Sequence, residues 1–112
     1  MKGLLLIVSV LLVFPCAASA DSAKEWLEVC EGYSRLAETV MRNRHEGVQM
    51  QEMLNIVIKG ERPSKIAEKI VDEAYGYPRI TSFEDLKQRS IGDFKNKWYR
   101  ECYRAMKAQG KL

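Results

Sequence analysis

Few residues in this sequence are of the types that carry out chemistry. The chain has three cysteines and a single histidine, His45. Cys30 and Cys102 lie 72 positions apart and no C-x-x-C pair is present, so neither thiol redox catalysis nor an ordinary zinc site is expected. His45 lies near the end of a predicted helix, where a cation suits the helix dipole, and we expect it on the surface. No hydroxyl or thiol is singled out as a nucleophile that it could activate.

Two weaker groupings could bind a metal or act as acid and base. Met41, Met50 and Met53 flank His45 in the sequence, and thioether sulfurs with an imidazole can bind Cu(I). The alternative, which we favour, is that these methionines fill an irregular core. Glycoside hydrolysis needs two carboxylates that face each other across a cleft, and a compact four-helix domain has little room for one. We therefore expect a non-catalytic protein with no metal and no cofactor.

The last predicted helix carries a pattern of tyrosine and arginine, formed by Tyr99, Arg100, Tyr103 and Arg104. The two tyrosines are neighbours on the helix surface and so are the two arginines, because residues four apart lie on one face. Both residue types are enriched at protein interfaces. The tyrosines could instead cover the shoulder of the helical bundle. We expect these four residues to bind another protein. A net charge of +3 is too mild to indicate that the chain binds nucleic acid.

The N-terminal segment predicts export. Lys2 is followed by an apolar run over 4–14 and then by small residues up to position 20, which is the layout of a signal peptide. The apolar run is too short to cross a bilayer core of about 30 Å as a helix. Pro15 directly before Cys16 fits a lipoprotein signal poorly. We expect a cleaved signal peptide at 1–20, the loss of Cys16 with it, and a periplasmic or secreted protein that does not bind the membrane.

Removal of the leader would leave Cys30 and Cys102 as the two cysteines of the chain. An even cysteine count in a small exported protein indicates a disulfide, and two cysteines can pair in only one way. Closing a loop of 72 positions contributes about 4 kcal/mol in the chain-entropy account of disulfides. The bond is therefore expected to provide a large share of the stability.

Hydrophobic period and helix punctuation predict an all-α fold, a small bundle of about four helices closed by one disulfide, in a single domain over 21–112. The first three helices are predicted at about Ser22 to Glu46, Val48 to Lys59 and Ser64 to Tyr75, and Thr81 or Ser82 is expected to cap a fourth that ends near Ala108. Gly92 is a point where the fourth helix could kink or break. An up-down-up-down order places the start of the first helix beside the end of the fourth, where a disulfide could form.

Several apolar residues of the later helices are expected in the core because they share the predicted buried stripes. These residues are Ile58, Ile66, Ile70, Val71, Phe83, Leu86, Phe94 and Trp98.

The pattern C-x6-A-x2-[IV]-M-x2-R-x2-G-x2-M-x2-M begins at Cys30 and ends at Met53. It resembles a pattern of small uncharacterised exported proteins of bacteria and their phages, in which a central Tyr and Pro and a late Cys also recur, here Tyr75, Pro78 and Cys102. The resemblance implies a helical, disulfide-linked exported protein and assigns no activity. In gross outline the chain is also similar to periplasmic acid-stress chaperones and to immunity proteins against secreted toxins.

From these features we expect an exported binding protein, such as an inhibitor, an immunity protein or a phage-related factor, that acts by contact with another protein. An acid-stress chaperone that loosens at low pH is the alternative, and copper binding is a less favoured one.

Overall fold

The computed structural model of the protein describes Gly3, residues 20–59 and residues 64–112. The expected signal peptide lies outside these residues, apart from Gly3 and Ala20. The described chain forms four helices and no strand: α1 Ala20–Glu46, α2 Met50–Ile58, α3 Lys65–Gly76 and α4 Glu84–Ala108. The prediction of an all-α bundle of about four helices is confirmed. None of the described helices is both long enough and apolar enough to cross a membrane.

Helix α4 runs antiparallel to α1 along most of its length. The predicted disulfide is present and joins Cys30, near the start of α1, to Cys102, near the end of α4, with the two Cα atoms 5.4 Å apart. Further along α1, the Glu38 carboxylate accepts a hydrogen bond from Lys95 Nζ at 2.8 Å. The later of these two residues of α1, Glu38, thus contacts the earlier of the two residues of α4, Lys95. The two helices are therefore antiparallel. This is the arrangement that the up-down-up-down order predicted.

Helix α1 lies at the centre of the bundle. Both α4 and α3 pack against it, α2 packs mainly against α3, and α3 and α4 approach each other little. The buried core is built from all four helices and consists of Ala37, Val40, Met41, Met53, Ile70, Val71, Ala74, Ile91 and Phe94. Met50 is half-buried against this core, so all three central methionines contribute to it, as the core interpretation predicted. Ile58, which was also expected in the core, is instead exposed at the end of α2.

The helix ends agree with the sequence in part. Ser64 caps α3 as expected, since its Oγ accepts a hydrogen bond from the Ala67 amide at 3.1 Å. The expected cap of α4 by Thr81 or Ser82 is wrong. Phe83 occupies that position with a left-handed φ of 65° and no capping side chain, so Ser82 and Thr81 lie one and two residues before the cap. Helix α1 begins at Ala20, two residues earlier than predicted.

Helix α4 differs from the prediction at two further points. It continues through Gly92 as one helix, so the break considered at that residue does not occur. Phe83 and Leu86 were expected in the core, but Phe83 is 74% exposed and Leu86 is also exposed. Helix α1 ends at Glu46, almost opposite Ser90 on α4. The first turn of α4 therefore has no part of α1 beneath it to bury these side chains.

Gly47 closes α1 in a conformation that other residues avoid. Its φ is +91°, and a Cβ added there would lie 2.7 Å from Arg79 Nη2. We expect Gly47→Ala to lower the free energy of unfolding by about 1–3 kcal/mol, because the left-handed region is strained for alanine and Arg79 would have to move. Urea unfolding followed by circular dichroism measures the change.

The matched control for that substitution is Gly32→Ala. Gly32 is exposed within α1 and has nothing within 4 Å of an added Cβ, so alanine there should stabilise the helix by up to about 1 kcal/mol. Equal shifts in the same direction for the two variants would contradict this account of Gly47.

Candidate functional site

His45 is not on the surface, and the sequence-based expectation for it is wrong. Only 1% of the residue is exposed. Its Nδ1 accepts a hydrogen bond from the Ile80 amide at 3.0 Å, and its Nε2 lies 3.0 Å from Ser90 Oγ. Because Nδ1 is an acceptor, the ring proton of the neutral imidazole is on Nε2, which donates to the hydroxyl. The ring thus joins the end of α1, the α3–α4 connector and α4.

The same corner of the bundle is held by two arginines. Arg79 Nε donates to the His45 carbonyl at 3.1 Å. Arg44 donates from Nε and Nη2 to the Tyr77 carbonyl at 3.3 and 3.2 Å, and its guanidinium lies 5.1 Å from the centre of the Tyr75 ring. These bonds fix the connector on α1, and they place positive charge beside the imidazole.

This environment favours the neutral form of His45. Burial lowers the pKa of His45 below its usual value, and the positive charges of Lys87, Arg44 and Arg79 lower it further. A proton on Nδ1 would face the Ile80 amide, which is itself a donor. With both ring nitrogens in hydrogen bonds and the ring enclosed, His45 is a structural group and a candidate pH-sensitive one, not an exposed catalytic base.

The methionine and histidine positions do not form an open set of metal ligands. Met41 is fully buried, and Met53 Sδ accepts from Asn43 Nδ2 at 3.5 Å. The imidazole of His45 is already bonded on both sides. Within the part of the chain that the structure describes, no three His, Cys, Asp or Glu side chains lie together as a metal site would require.

The four residues predicted to contact a partner lie together on the solvent side of α4. Tyr99 is 36% exposed and Tyr103 is 39% exposed, and Arg100 and Arg104 are exposed beside them. We call these four residues the outer face of α4. Neither arginine has an acidic side chain within ion-pair distance among residues 20–59 and 64–112. The face therefore presents two aromatic rings and two unneutralised charges to solvent.

The outer face is held on a rigid base. Trp98 and Phe94, one helical turn apart on the inner side of α4, meet edge to face with ring centres 6.5 Å apart. Phe94 is buried in the core, and Cys102 is bonded to α1. The backbone that carries the outer face is therefore held in place, which reduces the backbone entropy lost when a partner binds.

A search of protein-family models, of curated proteins and of solved structures finds nothing that matches this chain.

Proposed function

We propose that this protein is an exported, non-catalytic binding module, periplasmic or secreted, that acts by occupying another protein through the outer face of α4. The observation that supports this most directly is the pairing of exposed Tyr99 and Tyr103 with Arg100 and Arg104, whose charges have no partner in the described chain. Tyrosine and arginine are the residue types that most often dominate binding energy at interfaces.

The chemistry of the outer face indicates what the partner surface carries. An arginine guanidinium matches a carboxylate with two parallel hydrogen bonds, so the partner is expected to present aspartate or glutamate opposite Arg100 and Arg104. The two tyrosine rings supply apolar area with a hydroxyl at the rim. An inhibitor, an immunity protein or a phage-related factor would act in this way, by covering an acidic and apolar patch. An intramolecular disulfide suits an oxidising compartment.

Substitution of the outer face tests the proposal. We expect alanine at Tyr99, Arg100, Tyr103 and Arg104 together to weaken capture of the partner from periplasmic extract at least about 100-fold, since interface residues of these types often cost more than about 1 kcal/mol each. Affinity measured with the isolated partner gives the number. Exposed substitutions change stability by about 0.5 kcal/mol or less each, which is at most about 2 kcal/mol for the four together, so the variant should remain folded, which circular dichroism checks.

The matched control removes two exposed arginines from α1 instead. Arg35→Ala with Arg42→Ala takes away the same charge but leaves α4 intact, and each of these arginines already has an ion-pair partner on its own helix. Capture should be unchanged by the control. Capture that survives the four substitutions on α4 would defeat the proposed function.

A second candidate function is favoured by His45. Its enclosed neutral ring, which accepts from the Ile80 amide and lies among Lys87, Arg44 and Arg79, would be disrupted by protonation. A chaperone of acid stress would use such a group to loosen the connector and expose apolar surface at low pH. This candidate depends on the acid response of His45 and is independent of the outer face of α4.

A further inference from the structure

Helices α3 and α4 enclose a groove above α1. Both helices pack on α1 but approach each other little, so a space of about 530 Å³ remains between them. We call it the α3–α4 groove. An ion pair between Lys97 of α4 and Glu73 of α3 crosses between the two helices beside it. The side chains that give the groove its character come from three helices and are Tyr33, Ile66, Asp72, Trp98, Glu101 and Met106.

Much of the groove lining is apolar, although it faces solvent. Ile66 is 37% exposed, contrary to the expectation that it would be buried, because no residue of α4 covers it. Tyr33 and Trp98 are half-buried beside it, and Met106 continues the apolar lining towards the end of α4. Cys102 also lines the groove, so the disulfide that pins α4 to α1 helps to set its shape.

The walls of the groove are acidic. Asp72, Glu73 and Glu101 line it, against the single lysine Lys69. Glu73 is neutralised by its ion pair. Asp72 on α3 and Glu101 on α4 have no ion-pair partner among the residues that the structure describes. Glu101 also interacts electrostatically with Lys97, which it shares with Glu73, so the three carboxylates of the lining outnumber the two nearby lysines, Lys69 and Lys97. An apolar strip with an exposed carboxylate on each wall is complementary to an apolar side chain flanked by lysine or arginine.

The length of the groove suits a short helix. Its lining extends from Trp98 on α4 to Gln109, the residue that follows the helix, which is about 16 Å at about 1.5 Å per residue, or about three helical turns. We infer that the α3–α4 groove binds a basic amphipathic helical segment of a partner protein, with its apolar face on Ile66 and Trp98 and its cationic flanks against Asp72 and Glu101. This is the helix-in-groove mode of recognition. The site goes beyond the proposed function, because the outer face of α4 is basic and lies on another side of the helix.

A designed peptide tests the inference without knowledge of the partner. The probe is a fluorescein-labelled helical peptide of about 16 residues, about four and a half turns long, with leucine on one face and lysine on the other. The comparison peptide has glutamate in place of lysine. Fluorescence anisotropy with the purified oxidised protein should show that the lysine peptide binds at least about tenfold more tightly. The replacements Asp72→Asn and Glu101→Gln together should weaken its binding about tenfold, as expected for two partly exposed ion pairs. Ile66→Ser should weaken it independently of charge.

The matched charge control is Glu46→Gln with Glu52→Gln. Both residues are exposed and lie at the other end of α1 and on α2, away from the groove, so peptide binding should persist. Equal binding of the two peptides, equal losses in the control and groove variants, or unchanged binding in the Asp72 and Glu101 variant would overturn the inference. So would concentration-dependent self-association that the lysine peptide does not disrupt, since a second copy would then be the occupant.

The peptide test of the groove can be distinguished from the capture test of the proposed function. The variant with alanine at Tyr99, Arg100, Tyr103 and Arg104 should bind the lysine peptide as the unaltered protein does. Loss of peptide binding in that variant would mean that the peptide recognises the outer face of α4, and the groove inference would fail.

Discussion

Replacing Cys30 and Cys102 with alanine is expected to lower the free energy of unfolding by about 4 kcal/mol, because the bond closes a loop of 72 positions and its loss restores chain entropy to the unfolded state. The whole stability of a small domain is about 5–15 kcal/mol. The variant should therefore be close to the limit of folding at ordinary temperatures. Alanine is preferred to serine because Cys30 is fully buried, and a hydroxyl there would add a second cost.

The loss should not be uniform along the bundle. The core of α1 lies between Ala37 and Met41, and that of α4 at Ile91 and Phe94; beyond Phe94 no residue of α4 is fully buried. The disulfide therefore fastens the half of the α1–α4 pair that has the least apolar burial. Both the outer face of α4 and the α3–α4 groove lie on that half, so reduction should abolish their binding before it unfolds the rest.

Two measurements check this expectation. Urea unfolding with and without reductant gives the change in stability, and amide hydrogen exchange locates it. Protection of the α4 backbone after Phe94 should fall first on reduction, while the amides of Val40 and Met41 stay protected. Coincident unfolding curves for the reduced and oxidised protein, or uniform loss of protection, would contradict the assignment of this role to the disulfide.

The elements of the fold were predictable because they depend on local physics. An apolar period of 3.6 residues specifies a helix wherever it occurs, and Ser64 and the glycines at positions 47 and 76 mark ends that the chain chemistry dictates. The cysteine pair added the one long-range constraint that a sequence can show directly. These features sufficed for four helices and for the antiparallel order of α1 and α4.

The predictions of burial were wrong where the burial of a residue depends on which other helix lies opposite it. Ile66, Phe83 and Leu86 are on the apolar stripes of their helices, yet α4 does not cover Ile66 and α1 ends before it could cover the other two. Such exposure is set by how far one helix extends past another, which periodicity does not contain. The outer face of α4 was predictable because its residues are offset from the apolar stripe, whereas the groove exists only in the packed structure.

His45 was misplaced for a related reason. Its neighbours Arg44 and Glu46 are charged, and such a segment usually lies on a surface, but Arg44 here binds the Tyr77 carbonyl and the connector closes over the ring through Ile80. The C…A…M…R…G pattern acquires a physical meaning from these contacts. Its cysteine forms the disulfide, its middle residues are buried, its arginine fixes the connector and its glycine has a positive φ. These residues maintain the fold. Apart from Tyr33, the residues of the two candidate binding surfaces lie on α3 and α4 or directly after α4, outside the pattern.

Acid is expected to destabilise the protein in two separate ranges of pH. His45 is the only histidine in the chain, and burial, aided by nearby cations, lowers its pKa in the folded state from the usual 6.5. The unfolded chain therefore takes up this proton at a higher pH than the folded protein does. The stability contributed by the neutral ring is complete above about pH 6.5 and is lost as the pH falls through the lowered pKa of the folded state.

The second loss occurs at lower pH and has another cause. The hydrogen bond and charge of Lys95 hold the pKa of Glu38 below its usual value of 4.5. Its contribution is present above pH 4.5 and is lost as the pH falls through the lowered value. The contact between Glu38 and Lys95 joins the middle of α1 to α4, so acid would weaken that helix pair at two places in turn, first at the end where His45 meets Ser90 and then at the middle.

Urea unfolding at a series of pH values from 8 to 5 separates the histidine effect. The free energy of unfolding of the unaltered protein should decline across this series. The asparagine of His45→Asn is not protonated in this range and places an amide oxygen near the position of Nδ1, so the free energy of unfolding of this variant should change little with pH. Its stability should be lower at every pH because the Ser90 hydroxyl loses its partner, at a cost of about 1–3 kcal/mol if left unpaired. Parallel curves would show that His45 is not the titrating group.

Removal of one neighbouring cation refines the result. Lys87 is the first of the charges that lower the pKa of His45, so Lys87→Gln should bring that pKa closer to its usual value and reduce the decline in stability between pH 7 and pH 5. Lys107→Gln on the same helix is the matched control, because Lys107 is exposed near the end of α4, far from the ring, and should leave the decline unaltered.

If the decline coincides with the appearance of dye-binding apolar surface while the disulfide is intact, the acid-stress role gains support. A decline without such exposure would leave His45 as a fastening of the connector and would count against that role.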